Sequence, residues 1–297
     1  MSNSNVPMPL PVAPSAETWA AMRPDEREAF IQTANEALGD PLRTMAEGRP
    51  HKLAKLRASQ LLERHFRERG RHVYVAEEMS VVYPSEEVFT PDVLAVLDVE
   101  QRDDDERMGW VVMDEGRGID FVLEVLHRGD RKKDLVLNVE RYARLGIREY
   151  FVYDFGKQQL HGFRLVAGTG VYGQVEPRDD RWYSEVLELE LALEGGALRF
   201  FQGPSELLGT HERLERLGDM VERAEAEAER TLASLRGRVL AQLARRGLPC
   251  GERERERVLA CRDAELLLHW LERAYAADSL GDVLAAKPSL TAPRASF

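Results

Sequence analysis

Hydrophobic positions recur along the chain with two different periods, and the switches between them predict the order of elements. Residues 51 to 69 (HKLAKLRASQLLERHFRER) place Leu53, Leu56, Leu61, Leu62 and Phe66 near helical spacing, and Gly70 is a natural stop. Strand-like runs follow at HVYVAEEMSVVYP, PDVLAVLDV (91 to 99) and IDFVLEVL (119 to 126), bounded by polar, turn-rich stretches. RKKDLVLNVERYARL (131 to 145) returns to helical spacing through Leu135, Val139, Tyr142 and Leu145, and ends at Gly146. REYFVYDF then reads as a strand, so 119 to 154 has the strand, helix, strand pattern of a parallel crossover. QLHGFRLV is the expected hairpin partner across FGKQ, with further strands at WYSEVLELELAL and ALRFF.

The two ends of the chain differ from this middle. The first fifteen residues are rich in Pro, Ser and Asn and are expected to form a flexible arm. Residues 16 to 38 read as helical, with Pro24 and Asp25 marking a helix start. From 205 to 246 the composition shifts to Glu, Arg, Ala and Leu, and Leu214, Leu217, Val221, Ala224, Ala228 and Leu235 mostly follow a heptad seam. A long helix with coiled-coil character is expected there. Alanines on the seam and Thr231 weaken it, so pairing within the chain and a homo-oligomer through the C-terminal helices both stay open. ERVLACRDAELLLHWLERAYAADSL is a second helical stretch that could fold back on the first or dock to a neighbour. The expected organisation is an arm (1–15), an α/β domain (16–203), a helical or coiled-coil region (204–287) and a loose tail (288–297).

Composition narrows the class. The chain has 297 residues, 43% of them hydrophobic and 31% charged, which is enough for a sizeable core and one or two domains. No run approaches the roughly 18 apolar residues of a membrane span, and MSNSNVPMPLPVAPSAE lacks the basic and apolar regions of a secretory signal. A cytoplasmic location without membrane partners is therefore expected. Cys250 and Cys261 lack the spacing of a zinc knuckle or a disulfide framework. The net charge of −11 argues against nucleic-acid binding over most of the surface. Its distribution is uneven: 41 to 75 holds nine basic and three acidic residues, 127 to 148 seven and three, and 77 to 120 three and fourteen. Two basic segments around an acidic one fit either a polyanion-binding rim around a cation site or plain solvated faces.

No phosphate-loop, HExxH or GxSxG motif is present, and the seven histidines, His51 among them, show no metal-ligand spacing. Carboxylate chemistry on a sheet remains. If the strands beginning at Asp92 and ending near Glu124 pair antiparallel, directly or around a short strand at WVVM (110 to 113), both carboxylates reach one sheet edge. Asp120, Val122, Glu124 and Leu126 share a face, so Glu124 interrupts an otherwise apolar run. A carboxylate there needs a metal ion or an Arg or Lys partner to offset its burial. Spacing alone fits equally a turn cap at Asp92 and an ion pair at Glu124.

The series PDVLAVLDV, DFVLEVL and RKKDLVLNVERYARLGIREYFVYD resembles the Uma-type putative restriction endonuclease family, a branch of the PD-(D/E)XK nucleases, over about residues 45 to 200. The resemblance implies a restriction-endonuclease-like mixed central sheet flanked by helices, here with a C-terminal helical extension. It implies Mg²⁺ or Mn²⁺ held by Asp92, Glu124 and the Val125 carbonyl, and metal-assisted hydrolysis of DNA. The superfamily lysine, two residues after the Glu, falls on Leu126. In the Uma-type branch that lysine stands on the following helix in a DxxxK pattern, which here reads Asp134 and Asn138. An amide orients water but supplies no charge, and losing such a group costs roughly 10²- to 10⁴-fold in rate. Lys132 and Lys133 are the candidate substitutes, the alternative for both being phosphate contact or plain solvation. Lys52, Lys55, Arg57, Arg128 and Arg131 are the expected DNA-backbone contacts. Glu47 and Glu63 are candidates for an additional acidic residue, and His127 for a water or phosphate contact. A nuclease fold that binds nucleic acid without cutting it is the competing expectation.

Overall fold

The computed structural model describes residues 8–39, 48–99, 106–126 and 131–285. Two compact units divide the chain, Met1–Gly209 and Thr210–Phe297. In the first, α1 (Ala16–Ala21) and α2 (Pro24–Leu38) are separated because Pro24 holds Arg23 in extended backbone, with ψ at 157°. Residues 8–15, expected to be loose, lie beside 85–88. The Pro11 and Pro14 carbonyls accept from the Val88 and Ser85 amides (both 3.1 Å), and Ala13 N–H donates to the Glu86 carbonyl at 2.8 Å. Proline removes donors but not acceptors, so a proline-rich segment still has half of its ladder to offer.

Helix α3 (Arg49–Glu68) has Pro50 in its first turn and ends before Gly70, whose φ of +63° suits glycine. Its buried stripe runs through Lys55, Ala58, Ser59, Leu61, Leu62, His65 and Phe66. Of the positions expected on the apolar face, Leu61, Leu62 and Phe66 are buried, whereas Leu53 and Leu56 are 49% and 40% exposed and Lys55 takes the inward place in that turn.

The strands follow in the expected order. They are β1 (Val73–Glu77), β2 (Val81–Val82), β3 (Val93–Leu97), β4 (Trp110–Val111), β5 (Phe121–Leu126), β6 (Glu149–Asp154), β7 (Gln159–Leu165) and β8 (Tyr172–Gln174). The main sheet has the order β1-β3-β5-β6-β7-β8. Within this sheet the β5–β6 pair is parallel and the other pairs antiparallel, and a π-helical turn (Lys133–Leu137) running into helix α5 (Asn138–Arg144) lies between β5 and β6 in the chain. The single run expected over HVYVAEEMSVVYP is broken into β1 and β2, with Glu78 in left-handed backbone at φ +50°. WVVM does not intervene between β3 and β5. Trp110 and Val111 pair with β2 as β4, and Val112 opens the short helix α4 (Val112–Glu115).

Each face of the main sheet buries its own core. Val93, Ala95, Phe121, Leu123 and Val125 pack with α3 and with residues of a second sheet. That sheet contains β9 (Arg181–Ser184), β10 (Leu189–Glu194), β11 (Ala197–Gln202) and β12 (Ser205–Glu206). Leu94, Val96, Val122, Leu126 and Val152 pack on the opposite face against Tyr142 of α5. Glu149 ties the two sheets. Its carboxylate, 1% exposed, accepts from Arg164, Ser184 and the Glu185 and Val186 amides.

The second unit is helical: α6 (Thr210–Arg245), α7 (Glu252–Ala260), α8 (Ala264–Ala276) and α9 (Leu280–Val283). The second helical stretch folds back within the chain, where Leu267, Trp270 and Leu271 of α8 bury against Leu235, Val239 and Leu243 of α6. Leu214, Leu217 and Val221, the start of the heptad seam, are exposed at 64%, 58% and 51%. The long helix is therefore present, with the seam positions of its first half exposed. No helix among the described residues is long and apolar enough to cross a membrane.

One buried ionisable group of this fold gives a test independent of the site. His65 of α3 is 3% exposed, lies edge-on to Phe66, and receives Arg69 N–H on Nδ1 at 2.9 Å. Burial, then the Arg69 charge, pushes its pKa from 6.5 down to about 4. A depressed histidine stabilises the fold above its unfolded pKa, and that contribution is lost as pH falls from 6.5 to about 4. In urea melts recorded across that window, His65→Gln is expected to flatten the decline, whatever it does to stability at neutral pH.

Candidate active site

The site is built where three strand ends and two helices meet. The β3–β5 register pairs Val93 with Leu123 and Leu94 with Val122, so one step further along the ladder sets Asp92 opposite Glu124. Asp92 Oδ2 accepts the Val125 N–H at 2.7 Å, and the Asp92 N–H reaches Glu124 Oε2 at 3.4 Å. The carboxylates and the Val125 carbonyl thus gather at one edge. The left-handed turn at Glu78, whose N–H donates to the Asp92 carbonyl at 3.2 Å, closes the β1 end of the junction.

From the α3 side, His51 and Lys55 arrive one turn apart. His51 Nε2 contacts the Val125 carbonyl and lies 3.5 Å from Asp92 Oδ2. Lys55 Nζ pairs with Glu78 and lies 3.5 Å from Asp92 Oδ1. The Lys55 side chain, an expected DNA-backbone contact, is 3% exposed, and its ammonium faces carboxylates inside the junction.

From the opposite face, α5 and the π-helical turn enclose Glu124. Tyr142 OH donates to Glu124 Oε1 at 3.2 Å. Asn138 is buried and donates through Nδ2 to Asp134 Oδ1 at 3.1 Å, while Tyr150 OH donates to the Asp134 carbonyl at 2.8 Å. The π-helical turn adds a residue to the first turn of this helix, and such bulges recur at functional sites. Lys132 and Lys133 are exposed at its start, and the Lys133 charge acts on Glu124 from a distance.

The electrostatics of the two carboxylates differ. Burial, then the Asp92 and Asp134 charges, pushes the Glu124 carboxyl well above the usual carboxylate range, against the pull of Lys133 and Tyr142. Burial also raises Asp92, but His51, the Val125 N–H and the Lys55 ammonium outweigh it and hold Asp92 below its usual range. Asp120, two positions before Val122 on the same face as Glu124, is handled in a third way: it accepts from Leu97 N–H at 2.8 Å and from Arg117 at 3.1 Å. Among the described residues, Glu124 has no ion pair of this kind.

The donor set fits a hard, oxygen-binding divalent cation. It comprises two carboxylates and a carbonyl, with Glu124 enclosed and lacking a contacting cation among the described residues. No cluster of three or more His, Cys, Asp or Glu side chains arranged for a metal occurs among those residues, and the further oxygen beside Asp92 is the Val125 carbonyl. His51 holds that carbonyl in this structure.

The remaining expected residues scatter around this junction. Lys52 is exposed on α3, and Arg57 is partly buried. Arg131 pairs with Asp154, which is 1% exposed, and is therefore partly committed to the fold. Glu63 pairs with Arg67 on the helix surface. Arg128, His127 and Glu47 lie outside the described residues. Sequence reasoning missed His51 as a site residue. The available signal was its four-residue spacing from Lys55, a lysine three and seven residues before the apolar positions Ala58 and Leu62.

A family model described as Uma2, putative restriction endonuclease, matches residues 34–195. The chain belongs to the Uma2 family. The match covers every element that contributes to the junction. No curated protein matches the chain. Among solved structures it is similar to a putative nuclease belonging to DUF820 from Anabaena variabilis ATCC 29413, at 11% identity and a TM-score of 0.38, over 49% of this chain and 76% of that one.

The raised Glu124 carboxyl has a measurable consequence. A carboxyl whose folded pKa lies above its unfolded value supports the fold fully below the unfolded value, near 4.5, and loses that contribution as pH rises. With chelator present, Glu124→Gln, which mimics the protonated acid, is expected to raise the urea midpoint at neutral pH. The gain should vanish below about pH 4.5. A lower midpoint at neutral pH would mean that Glu124 is ionised and paired.

Proposed function

We propose that this Uma2 protein hydrolyses phosphodiester bonds in DNA with a divalent metal, Mg²⁺ or Mn²⁺, held by Asp92, Glu124 and the Val125 carbonyl. The observation that carries this reading is the convergence of those three donors at the paired ends of β3 and β5, with Glu124 enclosed and uncompensated by any contacting cation among the described residues. Family membership supports a nuclease at the coarser level.

When bound, the metal would acidify its water and neutralise charge on the phosphoryl oxygens. The protein groups do the rest. Asp92, kept ionised by His51, the Val125 N–H and Lys55, offers a fixed anionic oxygen at the edge of the sheet. Tyr142 holds Glu124 Oε1 from behind, which leaves the carboxylate one orientation towards Asp92. In the reaction the water oxygen bonds to phosphorus and the P–O ester bond breaks. The electron pair leaves on the ester oxygen, which takes up a proton, and the proton lost by water passes to solvent. Lys52, Arg57, Lys132, Lys133 and Arg128 would hold the DNA backbone without reading its sequence. Asn138 orients water or Asp134 but adds no positive charge, so a site relying on that position alone is slow by roughly 10²-fold or more.

The His51 contact favours a second reading, in which the chain's own histidine and lysine satisfy the Val125 carbonyl and Asp92 and the protein binds nucleic acid without cutting it. One assay separates the two. Purified protein with supercoiled or linear DNA and Mg²⁺ or Mn²⁺ is expected to cut. EDTA should stop the reaction, and an Asp92→Ala/Glu124→Ala variant should lower its rate by about 10²-fold or more. Absence of cutting in folded protein with either metal would select the binding module.

A further inference from the structure

The reaction proposed above calls for a positive charge beside the attacked phosphorus, and the helix that follows β5 offers an amide at 138. We infer that Lys55 of α3 supplies that charge, so that the cationic half of the site enters from the opposite face of the sheet. This inference rests on the hydrolase reading and adds to it the residue that takes the lysine's part.

Three observations carry it. First, Lys55 is buried: its side chain is 3% exposed and its ammonium faces carboxylates, with Asp92 Oδ1 at 3.5 Å and Glu78 in contact. An enclosed ammonium is costly unless it is paired, and this one is paired at the site itself. Second, it sits on a regular helix whose next turns, through Ala58, Leu61 and Leu62, are locked into the core, so its position is set by packing. Third, the two lysines on the other side, Lys132 and Lys133, are exposed, while the inward position 138 is occupied by an amide bonded to Asp134. Lys55 thus stands beside Asp92 on one face, while on the other Asn138 is bonded to Asp134, whose charge acts on Glu124.

Glu78 completes the arrangement. Its carboxylate is 57% exposed at the rim and shares the Lys55 ammonium with Asp92. Lys55 would therefore keep a second anionic partner with a metal at Asp92. In the hydrolysis described above, Lys55 forms and breaks no covalent bond. Its N–H groups orient the attacking water and face the charge that develops on the phosphoryl oxygens.

The test uses the full-length chain and two readouts, cleavage of supercoiled DNA in Mg²⁺ or Mn²⁺ and Mn²⁺ binding by calorimetry. Lys55→Met is expected to lower cleavage by about 10²-fold or more while binding Mn²⁺ at least as tightly as the parent, since it removes a cation that faces Asp92. Lys55→Arg, which keeps the charge, and Lys55→Met/Asn138→Lys, which restores it from the other face, are each expected to recover part of the lost rate. A Lys55→Met protein that cuts at the parent rate overturns the assignment, as does one whose loss of cutting is matched by loss of Mn²⁺ binding, the signature of a purely structural lysine. A parent protein that neither binds Mn²⁺ nor cuts overturns the hydrolase reading and this assignment together, whereas a parent that cuts beside an equally active Lys55→Met overturns the assignment alone.

Discussion

The antiparallel register between β3 and β5 is the constraint on which the rest of the site depends. It sets the residue before β3 opposite the fourth residue of β5, and one hydrogen bond, from the Val125 N–H to Asp92 Oδ2 at 2.7 Å, fixes the aspartate across the ladder. A slip of one residue would turn Glu124 towards α3 and bring an apolar neighbour under α5. Such a slip is opposed on both faces at once. Phe121, Leu123 and Val125 belong to one core and Val122 and Leu126 to the other, so every side chain of β5 resists it. The cost of moving Glu124 is therefore spread over the whole core, which is how a sheet holds a carboxylate in an environment that disfavours it.

That environment is graded along a single strand face. Asp120 is met by Arg117 and a backbone amide, Glu124 by a tyrosine hydroxyl and a weak amide contact, and Asp92 across the ladder by a histidine and a lysine. Burial acts on Asp92 and Glu124 alike, but among the described residues Asp92 has His51 and Lys55 beside it while Glu124 has the more distant Lys133 charge, so the pair separates into one carboxylate that holds its charge and one that resists charging. Two like carboxylates side by side cannot both ionise cheaply. Asymmetric provision of cations decides which one does.

Much of this was legible in the sequence because it depends on local pattern. Period-two alternation in FVLEVL identified the face that carries Glu124, the strand–helix–strand spacing gave the parallel crossover, and Pro24 marked the start of α2. The misreadings share a cause. Leu53 and Leu56 pulled the apparent apolar face of α3 away from the true one, which includes a lysine and a histidine, because a periodicity count treats Lys as solvent-facing. His51 shows no ligand spacing along the chain, since its partners, Asp92 and Val125, lie on two strands that only the tertiary fold brings beneath it. The docked proline-rich segment was illegible for a similar reason: its backbone acceptors are satisfied by residues 85–88, far along the chain.

The divided origin of the site also bears on its rigidity. Glu124 Oε1 is held by Tyr142 on the crossover helix, and Tyr150 of the next strand ties the π-helical turn beside it, so this side of its surroundings is set by a local unit of strand, π-helical turn, helix and strand. Asp92, by contrast, depends on α3, which precedes the sheet in sequence and reaches it only through packing. A perturbation of α3 should therefore act on the Asp92 half while leaving the Glu124 half intact. The apolar contacts of Ala58, Leu61 and Leu62 with β-strand residues are what keep the two halves in register. In physical terms, the hydrophobic core under α3 is part of the site, because it determines whether an ammonium and an imidazole stand beside Asp92 or one helical turn away from it.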